Sequence, residues 1–139
     1  MILWNAELTK RLSCKAKEKA ALIPLVRSLL DLGDAVRSQG IGGLQQNAQS
    51  DPLLAYGLKL VAEGVSADAL EEILAIFLAT SALEGYDFLA QCVSAEALLC
   101  LASGDSRELM ARKLAPYAGA EAALGLLESL ESESAWERP

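Results

Sequence analysis

The chain contains no histidine. That removes the commonest general base and the commonest metal ligand, and with them the Ser-His and Cys-His pairs of nucleophilic catalysis. Aromatic residues are only 5% of the sequence, and β-branched residues are few. A composition led by leucine and alanine favours packed helices over sheets. Long hydrophobic runs are also missing. The longest apolar stretch without a charge, Ile73–Leu83, is eleven residues, whereas a bilayer span needs roughly 20. Lys10 and Arg11 interrupt a short apolar start, which does not fit a secretory signal. The chain is expected to be soluble and cytoplasmic.

Cysteine is sparse as well. Cys14, Cys92 and Cys100 form no C-x-x-C pair. On one helix, the eight residues between Cys92 and Cys100 put them roughly 12 Å apart, beyond the reach of a disulfide. They are expected to be reduced, partly buried small hydrophobes. No Cys/His cluster or calcium-loop spacing is present, so no metal and no cofactor are expected. Gly40-Ile41-Gly42-Gly43 lacks the lysine and the strand-to-helix setting of a phosphate loop and reads as a helix break. The paired carboxylates Glu63/Asp68 and Glu71/Glu72 fall at helix ends, where capping and solvation account for them. No catalytic residue is assigned, and the chain is read as not an enzyme.

What is present is 139 residues, enough for one hydrophobic core, with a net charge of −7. The charge is uneven. Residues 1–37 hold seven Lys/Arg against four Asp/Glu, and residues 38–139 hold five against fifteen. The acidic body argues against nucleic acid. The basic head (Lys10, Arg11, Lys15, Lys17, Lys19) reads as a solvated helix face, with anionic lipid or an acidic protein as its alternative partners.

Helical punctuation is dense. Ala21, Leu25, Leu29, Leu32 and Val36 recur at helical spacing, with Pro24 either starting that helix or kinking a longer one. Asp51-Pro52 is a helix start, and Leu53, Leu54, Leu58 and Val61 form its stripe. Gly64 ends it, and Ser66 caps the next helix, whose buried face should be Leu70, Ile73, Leu74, Phe77 and Leu78. Gly85 is expected to terminate that helix and Asp87 to open another, giving an antiparallel hairpin of about 67–83 and 87–103. The second arm carries the stripe Phe88, Cys92, Ala95 and Leu99 and closes at Gly104. Asp105-x-x-Glu108 reads as a capping box before Leu109, Met110 and Leu114. A last helix over 120–130 carries Leu124, Leu127 and Leu130. The expected fold is all-α, a compact bundle of about five to seven helices. A single domain over 1–130 precedes an acidic, frayed tail, 131–139.

Two islands of this punctuation resemble a known family. The first comprises Asp51, Pro52, Gly57, Leu58, Gly64, Ile73 and Leu74. The second comprises Glu96, Gly104, Asp105, Lys113 and Leu114, with Ala97, Ser106 and Arg107 departing from the family pattern. In order and spacing they resemble the cytosolic segments of MotA-type flagellar stator subunits, in the MotA/TolQ/ExbB-like proton channel family. Family members place a transmembrane hairpin between the islands; here about twenty residues separate them, too few to hold it. The resemblance implies the helical scaffold of the family's rotor-facing domain without ion conduction. In the family, a basic residue and an acidic residue eight positions later pair with charges on the rotor's switch protein. Alignment on Gly40 and Leu44 puts these at Arg37 and Gln45, with Gln46 and Gln49 as neighbours. The expected function is a cytosolic protein-interaction module that docks and performs no chemistry, with a flagellar rotor switch protein as partner. The alternative is a self-associating structural protein, a homodimer formed through an apolar patch at Phe77, Leu78, Leu83 and Phe88. An unrecognised enzyme ranks third.

Overall fold

A computed structural model describes residues 10–40 and 51–133, and its two apolar cores lie on either side of one central helix. The elements are α1 (Ala16–Ala20), α2 (Ile23–Gln39), α3 (Pro52–Ala62), α4 (Ala67–Ala79), α5 (Gly85–Ser103), α6 (Arg107–Leu114), a 3₁₀ turn (Ala115–Ala118) and α7 (Ala120–Ser132). Among the described residues there is no strand, and the fold is an all-α bundle.

α5 is that central helix. Between Asp87 and Asp105 its only charge is Glu96, and a helix apolar all round belongs inside. Phe88, Cys92, Ala95, Leu98 and Leu99 face a core shared with α3 and α4. Leu89, Val93, Ala97 and Cys100 face a second core shared with α2, α6, the 3₁₀ turn and α7. The expected stripe Phe88, Cys92, Ala95, Leu99 is buried, but it is only half of what this helix buries.

Asp51 accepts from the Leu53 and Leu54 amides at 3.1 and 3.3 Å, and Pro52 occupies the first turn of α3. The helices of both islands end alike. Val65 N donates to Leu60 O at 3.1 Å and Asp105 N to Cys100 O at 3.0 Å, each across a glycine, Gly64 or Gly104, at positive φ of 82° and 73°. That geometry satisfies orphan carbonyls and suits a residue without Cβ.

Several boundaries and faces differ from expectation. α4 ends at Ala79 with Thr80 as its cap, and Gly85 opens α5 instead of closing α4. The stop is made by Thr80, whose hydroxyl donates to Ile76 O at 2.9 Å, and by an arginine from far away in sequence. Arg11 donates to the carbonyls of Leu78 (3.2 Å), Ser81 (2.6 Å) and Leu83 (3.2 Å), and its guanidinium lies 3.9 Å from the Phe88 ring centroid. Arg11 is therefore folded inward and is not part of a solvated basic face. α6 is capped by Ser106, whose hydroxyl accepts from Leu109 N at 3.1 Å; the expected Asp105 cap is not formed. Its apolar face is Met110, Ala111 and Leu114, and Leu109 is exposed.

Pro24 starts α2. The buried face of α2 is Leu22, Val26, Leu29, Leu30 and Gly33, one position off the expected stripe: Ala21 is exposed, and Leu25, Leu32 and Val36 are half-buried. In α7 Leu130 is buried and Leu127 half-buried, while Leu124 is exposed and Ala123 and Leu126 take its place inside. α7 runs past Leu130 to Ser132, and Arg27 pairs with Glu133 at 3.1 Å, so the helical part does not fray at 131. The rest of the expected tail, 134–139, lies outside the described residues.

Candidate functional site

Two places on the bundle concentrate polar side chains. The first is the end of α2. Arg37, in its last turn, donates through Nη1 to Asp105 O and through Nη2 to Asp34 Oδ1, both at 2.9 Å. Gly33, one turn earlier, makes room: a Cβ there would lie 3.2 Å from Arg37 Nη2 and 3.1 Å from Met110 Sδ. Arg107, only 17% exposed, reaches from α6 to Asp31 at 3.4 Å and to Asp34. Lys113 Nζ closes the corner on Asp105 Oδ2 at 2.6 Å. That contact, before any other cause, pushes the Lys113 pKa up. The island residue Lys113 and the departing residue Arg107 thus each tie α6 in place, one to the preceding turn and one to α2.

Of the partner-contact residues expected from the sequence, Arg37 is at this corner and already engaged within the chain. Gln45, Gln46 and Gln49 lie outside the described residues. Of the patch expected for self-association, Leu78 and Phe88 are fully buried in the core of α3, α4 and α5, and Phe77 is half-buried against it. Only Leu83 is exposed.

The second place is a cavity of about 750 Å³ where α1, α5, α6 and the 3₁₀ turn meet. Its apolar wall includes Leu12, Leu89, Leu99 and Pro116, and its polar groups include Lys19, Glu96, Lys113 and Tyr117. The Tyr117 hydroxyl donates to Glu96 Oε1 at 3.2 Å. Burial, and then the neighbouring Glu96 carboxylate, push the Tyr117 pKa up, so the phenol stays a donor. The sequence signal for this site was Glu96 itself, the one charge in α5 after Asp87. Lys19 and Tyr117 carry no such local mark, since only the folding of α1 and the 3₁₀ turn onto α5 brings them there.

The thiols do not supply a nucleophile. Burial pushes both Cys92 and Cys100 up to about 12, which leaves them protonated at neutral pH. Cys14 is also raised, mainly by burial. Glu63 caps the end of α3 and Asp68 lies in the first turn of α4, both exposed, whereas Glu72, expected at a helix end, is exposed one turn further into α4. Among the described residues no three acidic or cysteine side chains converge as a metal site would require, and no helix is long and apolar enough to cross a membrane. No protein-family model matches the chain, and neither the curated proteins nor the solved structures contain a match.

Proposed function

We propose that the chain is a helical docking module of the kind the stator resemblance implies, one that binds a protein partner reversibly and carries out no reaction. The observation that supports this reading is the packing of α3, which carries most of the first island's first half, on α5, which carries Glu96 of the second. A Cβ at Gly57, in the first island, would fall 2.2 Å from Leu98 Cδ1, on the helix that carries the second. The matched glycine of the first island therefore sits where α3 presses on α5. The cap at Asp51 and the stops at Gly64 and Gly104 set the helices that make it. The buried, protonated thiols favour docking over covalent chemistry.

On this reading the docking face is the α2–α6 corner. Arg37 is exposed there and keeps guanidinium donors without a partner among the described residues. A charge-assisted, two-pronged contact with a partner carboxylate is the interaction such an arginine makes best. A pull-down with a flagellar rotor switch protein tests it: wild type is retained and Arg37→Glu is lost, with unchanged helical content. Equal retention of both, or of neither, rules the docking reading out.

A second reading is self-association through α3 and α4. Tyr56 stacks on Phe77 with ring centroids 6.4 Å apart, and Ile76 of α4 is 65% exposed. Light scattering that finds a monomer at high concentration removes this alternative.

A further inference from the structure

The cavity beside α1 reaches far along α5. Leu89, Glu96, Leu99 and Ser103 recur at helical spacing on one face of that helix, and all four line the space. Leu89 to Ser103 covers roughly 21 Å of helix at about 1.5 Å per residue. At about 750 Å³ the space is in the upper part of the roughly 300–1,000 Å³ range of pockets for small organic ligands. α1, which brings Lys19 to it, has five residues and buries none of them. Such a helix moves aside without exposing a core, which gives a ligand a way in.

Among the described residues, three charged side chains line the cavity, and two of them are already matched. Glu96 accepts from the Tyr117 hydroxyl at 3.2 Å. Lys113 is bonded to Asp105 at 2.6 Å and feels the Glu96 carboxylate as well. Lys19 is the third. It is half-buried, whereas Lys15 and Lys17 beside it in sequence are exposed. Its ammonium forms no ion pair or hydrogen bond with a described residue. A partly buried charge is more stable when a counter-charge meets it. The open charge is therefore positive, and most of the remaining surface is apolar. A cationic amphiphile would meet a free ammonium and find the carboxylate already engaged. We propose that this cavity binds the anion of a medium-chain fatty acid, with its carboxylate on Lys19 and its acyl chain along Leu12, Leu89, Leu99 and Pro116. The site stands on the cavity alone and does not depend on docking at the Arg37 corner.

Titration calorimetry of the full chain with decanoate, decanol, decyltrimethylammonium and acetate, each below its micelle-forming concentration, tests the assignment. Decanoate binds one-to-one. Decanol and decyltrimethylammonium bind at least tenfold more weakly, because each lacks the charge-assisted contact to Lys19. Acetate, which has the head without the chain, does not bind measurably. Lys19→Gln weakens decanoate to the level of decanol and leaves decanol unchanged. Lys17→Gln, at an exposed lysine of the same helix, leaves all four unchanged. Bound decanoate also slows amide exchange in α1. The wild-type comparisons need no variant to fold. Binding of decanol or decyltrimethylammonium as tight as that of decanoate, equal weakening by Lys17→Gln and Lys19→Gln, or no saturable binding of decanoate at millimolar concentration would overturn the proposal.

Discussion

Gly57 of α3 lies directly against Leu98 of α5, so close that a Cβ at position 57 would stand 2.2 Å from one Leu98 methyl and 2.9 Å from the other. Leu98 is fully buried and has no open space to retreat into. Alanine is ordinarily the better helix former by about 1 kcal/mol. Here Gly57→Ala is expected to lower stability by about 1–3 kcal/mol instead, the range for overpacking a core. Urea unfolding measures it. Because the two residues share one contact, Gly57→Ala with Leu98→Ala should cost less than the sum of the single changes, by about 0.5 kcal/mol or more. A stabilising Gly57→Ala, or strict additivity, would show that α3 and α5 do not press on each other at this point.

Arg11 holds the α4–α5 connection from outside it, bonding three carbonyls and covering the Phe88 ring. Hydrogen bonds from a charged donor contribute about 1.5–3 kcal/mol. Arg11→Ala is expected to lose about that much. Arg11→Lys should recover little, because an ammonium cannot spread across three carbonyls and a ring as a planar fork does. Amide hydrogen exchange would show the loss first at residues 80–84. Full recovery by lysine would mean that charge alone, and not the fork, holds the turn.

The raised thiols predict how stability depends on pH. Cys92 and Cys100 move from an ordinary value of 9.0 to about 12 when folded, chiefly through burial. The folded state therefore holds these protons more tightly than the unfolded chain. The resulting stability is fully present below about pH 9 and is lost as the pH rises towards 12, by up to about 1.4 kcal/mol per pH unit for each thiol. Cys92→Ala should flatten that alkaline slope, even though it leaves a small cavity and lowers stability at neutral pH. An unchanged slope in denaturant titrations between pH 8 and 11 would contradict the burial of this thiol.

The parts of the fold readable in the sequence were those with local chemistry. Asp51-Pro52, Gly64, Ser66 and Gly104 mark helix ends because capping involves only neighbouring residues. Non-local features were hidden. The end of α4 depends on Arg11, about seventy residues away, so Gly85 looked like the stop when it is the start of α5. The charge-poor surface of α5 allowed one stripe to be drawn where two faces are buried. In α2, two apolar stripes compete, and the one that faces inward is set by packing against distant helices, which its own segment does not mark. Arg37 was legible as a functional candidate, but its bonds to Asp34 and Asp105 were not, since Asp105 follows another helix. The cavity was least visible of all: its charges come from α1, α5 and α6, and only Glu96 stood out in its own segment.

Docking at the Arg37 corner is the central functional claim, and the affinity of the intact chain for a flagellar rotor switch protein at low and at high ionic strength measures it most directly. Screening shortens the reach of exposed charges from about 30 Å at 0.01 M salt to about 8 Å at 0.15 M. Saturable binding that weakens with added salt, and that Arg37→Glu abolishes while the helical content stays intact, is the predicted result. No binding at any ionic strength, or binding that neither salt nor Arg37→Glu changes, would contradict it.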